Sequence, residues 1–311
     1  MAAAAWSQPS TEALDQVHAA LNAGAADKAL DLIATLPNAG EDNAQAQNFA
    51  CRVEFAMGEW DAAVRDCRQA VQIESGNSEY HMWLGRALGE KANRASFFSA
   101  FSLGKRVLAE FQTATRLDPR NAAALSDLGS FYVEAPSIVG GGLSKADSVA
   151  MELDRIDPAR AAALRASIAL ARNDDRGAEM QLRKAIAISH HPAFEWTTLA
   201  RFYERRKQWE AMDQALRGCM ESAERDPQAG VPLYDAAGVL ISAKRDPELA
   251  IAFLKRYLAS PAKTDEAPAF IAYWRLARLQ QQVGDTDGAK ASESAALELA
   301  REYNPTQDMR R

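Results

Sequence analysis

The sequence predicts an all-α protein, an α-solenoid wound as a right-handed superhelix of about eight antiparallel helix pairs. Three observations carry this expectation. Hydrophobic residues make up 48% of the chain and aromatics only 8%, so the apolar content falls mainly on Ala and Leu, the strongest helix formers among apolar residues. The long segments show 3.6-residue rather than two-residue periodicity. One pattern, A-x-x-x-large-x-x-A, returns along the chain at Ala63-Cys67-Ala70 and Ala178-Leu182-Ala185, and with a large last residue at Ala29-Ile33-Leu36 and Ala250-Leu254-Tyr257.

Composition excludes several classes. The 17 glycines and 12 prolines in 311 residues fall well short of the roughly 25–30% of disordered low-complexity chains. Lys and Arg number 36 against 42 Asp and Glu, a net charge of −6, which offers no electrostatic footprint for nucleic acid or an anionic membrane. No stretch reaches the roughly 18 consecutive apolar residues of a membrane span. The run from Ala2 to Trp6 is too short for a signal-peptide core and lacks a basic lead-in. As written, the chain is expected to be cytoplasmic; small residues also flank signal-cleavage points, so a processed N-terminus, with a periplasmic or secreted location, is the alternative. Three cysteines and four histidines, with no C-x-x-C or H-E-x-x-H, give no reason to expect a metal or a cofactor.

Residues 1–9 are expected to form a flexible N-terminus, 10–303 the solenoid and 304–311 a tail. Units start near residues 10, 44, 78, 122, 159, 193, 231 and 270. About a dozen residues upstream of each A-x-x-x-large-x-x-A helix lies a partner helix with large and small residues interleaved: Trp83-Leu84-Gly85-Leu88, Leu125-Leu128-Gly129-Tyr132 and Trp196-Leu199-Ala200-Tyr203. Breaks follow at Asp118-Pro119, Asp157-Pro158 and Asp226-Pro227, where proline cannot continue a helix. Two helices approach closely only where the side chains between them are small. One pair cannot bury its own faces, but a stack of pairs can.

These residues resemble the tetratricopeptide repeat family, whose unit is about 34 residues, over nearly the whole chain. Starts at Ser10, Ala44 and Ser78 lie 34 residues apart. The units holding Trp196-Leu199-Ala200-Tyr203-Trp209 and Leu125-Leu128-Gly129-Tyr132 match the family signature best, while the unit at Ala159 lacks its bulky positions. The resemblance implies a non-catalytic scaffold that binds a protein or peptide in a concave groove; the alternative is a structural or assembly subunit of a homo-oligomer or envelope complex.

In the family, the inner helix presents its second, fifth, ninth and twelfth residues to the groove. The ninth is Arg52, Arg86, Arg201 and Arg278 here, and an acidic partner would suit this arginine register. Asn48, Met82 and Trp274 complete the expected partner-binding set. The family's clamp for chaperone C-termini needs Lys and Asn at the fifth and ninth positions; Asn48 and Arg52 stand there instead, so that specificity is not implied.

Two units carry insertions, at 89–103 and 135–143, resembling paired insertions in a group of bacterial members of the family. Phe97, Phe98 and Phe101 are expected to pack against Ile138 and Val139, making an edge site with Gly140, Gly141 and Gly142. A glycine loop ahead of a helix can bind phosphate, but G-x-G-x-x-G fails at Lys145 and the P-loop pattern fails at Ser99 and Arg106, so a plain connection is expected. No G-x-S-x-G occurs, and His190-His191-Pro192 reads as a solvated linker. Cys51 and Cys67 face each other across one hairpin, either as buried thiols or, in an oxidising compartment, as a disulfide.

Overall fold

The computed structural model describes residues 11–36 and 43–305; the expected start at Ser10, the N-terminal segment 1–9 and tail residues 306–311 lie outside that range. Among the described residues there are sixteen α-helices and no strand. In chain order they are α1 (Thr11–Asn22), α2 (Ala26–Thr35), α3 (Ala44–Met57), α4 (Trp60–Ile73), α5 (Ser78–Asn93), α6 (Phe97–Leu117), α7 (Ala122–Glu134) and α8 (Leu143–Leu153). The second half comprises α9 (Pro158–Ala171), α10 (Asp175–Ile188), α11 (Ala193–Arg205), α12 (Trp209–Arg225), α13 (Gly230–Ala243), α14 (Pro247–Ala259), α15 (Ala269–Gln282) and α16 (Thr286–Leu299). A short 3-10 turn spans Ser137–Val139.

Local chemistry sets many of these starts. Asn43, Asn77 and Asn121 accept hydrogen bonds from the first-turn amides of α3, α5 and α7, and Asp157, Asp174, Asp246 and Asp285 do the same for α9, α10, α14 and α16. Side-chain caps satisfy amides that the helix itself leaves orphaned. Pro158 and Pro247 each stand in the first turn of a helix, where a missing amide costs nothing.

The helices pair antiparallel as α1–α2 through α15–α16, and the first members also touch one another, α1 with α3, α3 with α5, α5 with α7, α7 with α9 and α11 with α13. This is an α-solenoid: the first helices form an inner layer and the second helices an outer one. Small residues permit the close pairing. A Cβ at Gly85 would come within 2.5 Å of the Phe111 ring on α6. Ala63, Cys67 and Ala70 on α4 are wholly buried, as are Ala178 and Ala185 on α10.

The first and last helix pairs meet. One core joins Val17, Leu21 and Ile33 of the first pair to Phe270, Ile271 and Tyr303. Gly24, in the α1–α2 turn at φ +68, lies so close to the Ala269 backbone that no side chain fits there, and the Arg301 amide donates to Asp27 at 3.0 Å. A second core occupies α3 to α9. No helix among the described residues is long and apolar enough to cross a membrane.

The insertion at 89–103 is not a loop. Residues 89–93 extend α5, and 97–103 open α6, which reaches 21 residues; only 94–96 break the helical course. The 3.6-residue spacing of the residues from Phe97 to Val107 carries α6 straight into its packed half, so the extra length projects as a helical arm.

Candidate functional site

The inner layer is crossed by the non-helical segment 260–268 that joins α14 to α15. Its base is tied down: the Tyr257 hydroxyl donates to the Ala267 carbonyl, and the Lys263 ammonium donates to the Leu258 carbonyl at 3.0 Å. From there Asp265 and Glu266 reach the inner helices of the second and third pairs. Arg52 on α3 grips Asp265 with two donors, Nε at 2.7 Å and Nη2 at 3.0 Å, and its Nη1 donates to Glu79 at 3.1 Å. Arg86 on α5 donates from Nε to Asp127 at 2.6 Å and from Nη1 to Glu266 at 2.9 Å. Both guanidinium groups lie against the Trp83 ring, Arg52 5.1 Å and Arg86 4.9 Å from its centroid, an arrangement that adds cation–π attraction to the ion pairs. The side chains of Arg52 and Asp265 are only 11% and 5% exposed.

Next to Arg86 opens a groove of about 580 Å3. Its floor is α5 and α7, with Gly89, Asn93, Ser130 and Phe131. One wall is the helical arm of α6, with Phe97, Phe101 and Gly104; the other is the 3-10 turn, with Ile138 and Val139. Phe97 is 78% exposed and Ile138 68%, and Phe98, stacked edge-on against Phe97, is 85% exposed. The expectation that these rings pack down on the turn is therefore corrected for Phe97 and Phe98: the arm is helical, and helical phase turns both rings to solvent. Contact between the arm and the turn is made lower down, where Gly104 meets Val139 and Leu108 meets Gly140. Phe101 is half-buried beneath the Lys105 ammonium, 4.5 Å from its ring centroid.

The glycine loop has no free amides to offer an anion. Gly140, Gly141 and Gly142 donate to the carbonyls of Ser137, Pro136 and Tyr132 at 3.0, 3.2 and 2.8 Å, and Lys145 caps the Gly140 carbonyl at 2.7 Å.

The remaining expected residues scatter. Asn48 is buried, with its side-chain amide N–H group unpartnered. Met82 belongs to the hydrophobic core and does not line the groove. Arg201 lies 3.6 Å from Asp235 on α13, Trp274 is half-buried with its indole N–H unpartnered, and Arg278 is exposed, with no ion pair among the described residues. Arg52 and Arg86, expected to await a partner, already hold acids of their own chain. Desolvation pushes the carboxyls of Asp127 and the half-exposed Asp235 up, against the opposing pull of Arg86 and Arg201 respectively. Cys51 and Cys67 form a disulfide with Cα atoms 5.2 Å apart, while Cys219 is a buried free thiol.

Asp265 and Glu266 are the residues that sequence reasoning missed. Their local signal is faint: Pro261 and Pro268 bracket a non-helical stretch longer than a tight turn needs.

No protein-family model matches the chain, and no curated protein matches it. Among solved structures, it is similar to a thermophilic TPR protein from Thermus thermophilus, at 18% identity and a TM-score of 0.48, over 57% of this chain and 89% of that one. It is also similar to a chain of the APC/C hetero-tetramer Cut9-Hcn1, at 15% identity and a TM-score of 0.43, over 88% of this chain and 50% of that one. The chain thus spans about half the length of the second.

Proposed function

We propose that the chain is a non-catalytic interaction scaffold that holds a segment of a partner protein in the groove between α5, α7, the α6 arm and the 136–139 turn. The observation that supports this reading is the helical arm itself. Other helices leave single apolar side chains such as Met151 and Met180 exposed, whereas the arm holds two adjacent rings, Phe97 and Phe98, out in solvent beside a groove with Phe101, Phe131 and Val139 in its lining. Exposed aromatic side chains around a concavity suit anchoring of an apolar side chain, and Arg86, Glu90 and Glu134 supply a polar rim. The disulfide supports the periplasmic or secreted alternative, because such bonds persist in oxidising compartments.

Filling the groove tests the reading. Ala100 lines the groove from the arm, so Ala100→Trp should lower affinity for the captured partner at least tenfold while leaving the melting temperature unchanged. Undiminished capture would remove the groove from the account. A homo-oligomeric role replaces this reading if light scattering shows self-association that Phe97→Ser and Phe98→Ser abolish.

A further inference from the structure

We infer that Arg52, Arg86 and Trp83 form a receptor for two adjacent carboxylates, filled in the unbound chain by Asp265 and Glu266, and that an acidic partner segment entering the groove displaces them. The inference rests on the groove reading for its ligand and shares only Arg86 with it.

Charge and spacing match two to two. The arginines stand one repeat apart on consecutive inner helices and both lie against one indole ring, while the two acids are consecutive in sequence. A guanidinium recognises a carboxylate by geometry as well as charge. Arg86 also lines the groove and donates to Glu266, so one side chain links the acidic pair to the groove. The contact is built to be released. Removing one partner of a buried ion pair usually strands the other charge, yet here each arginine has a second acid on a helix, Glu79 for Arg52 and Asp127 for Arg86. Departure of the two carboxylates leaves both cations paired. Glu266, half in solvent at 53% side-chain exposure, is the first to exchange; Asp265, nearly enclosed, follows.

The probe is a fluorescein-labelled peptide with the chain's own 260–269 sequence, read by anisotropy. It should bind the Asp265→Asn/Glu266→Gln chain at least tenfold more tightly than the unaltered chain, and the gain should vanish when Arg52→Ala and Arg86→Ala are added. Glu266→Gln alone, which leaves the buried pair intact, should show a smaller gain and serves where the double variant fails to fold. Equal affinity for all forms, or binding that survives loss of both arginines, overturns the inference. Ala100→Trp need not change peptide binding, so failure of the groove reading and failure of the receptor are seen separately.

Discussion

The Arg52 guanidinium holds both carboxylate oxygens of Asp265, at 2.7 and 3.0 Å, across 213 residues of chain. A contact this distant in sequence reports how far the solenoid curls, because α3 and the α14–α15 connection meet only when the intervening pairs stack at one pitch. Asp265→Ala should cost about 1.5–3 kcal/mol, the range for hydrogen bonds to charged groups, since Glu79 remains to pair Arg52. Chemical denaturation checks the value, and Arg52→Ala combined with Asp265→Ala should cost less than the sum of the two single changes.

Reduction should weaken the second helix pair. The Cys51–Cys67 bridge joins residues 16 apart, and closing a loop of that size contributes about 3 kcal/mol. Thermal unfolding with and without reductant reads the difference. A thiol count on denatured, unreduced protein should find one free thiol, Cys219, which in the native chain reacts slowly because burial pushes its thiol up to about 11.

Raising the pH through neutrality should destabilise the same region. Burial pushes the Glu54 carboxyl up to about 8, and the neighbouring Asp66 charge pushes in the same direction. A carboxyl raised above its unfolded value holds its proton longer in the folded state, so its contribution is complete below the ordinary carboxylate range and is lost as pH rises towards about 8. Stability measured from pH 5 to 9 should fall on this account, and Glu54→Gln should flatten the slope.

Gly85→Ala should cost about 1–3 kcal/mol through overpacking, because the new methyl group meets the Phe111 ring, and Phe111→Leu should recover part of the loss. Calorimetry on the single and double variants decides this.

The helix pairs were legible in the sequence because their determinants are local. Gly85 opposite Phe111, and the asparagine caps at Asn43, Asn77 and Asn121, all act within one unit or between neighbours. The α6 arm was half legible: Gly89, Asn93 and the excess length marked an insertion, but three phenylalanines in a row of five gave no sign that they continue a helix and leave two rings in water. The pairing of Arg52 and Arg86 with Asp265 and Glu266 was not legible. It depends on curvature accumulated over every pair between α3 and α14, and no local pattern records that sum.

The groove beside the α6 arm is proposed to receive a partner segment. A photo-crosslinking residue at Ser130, on the groove floor, compared with one at the exposed Arg217 on α12, tests it most directly when irradiated in the native compartment and read by mass spectrometry. The account predicts one dominant heterologous adduct from position 130, lost on Ala100→Trp, and none from position 217. Equal crosslinking from both positions, or a position 130 adduct untouched by Ala100→Trp, would contradict it.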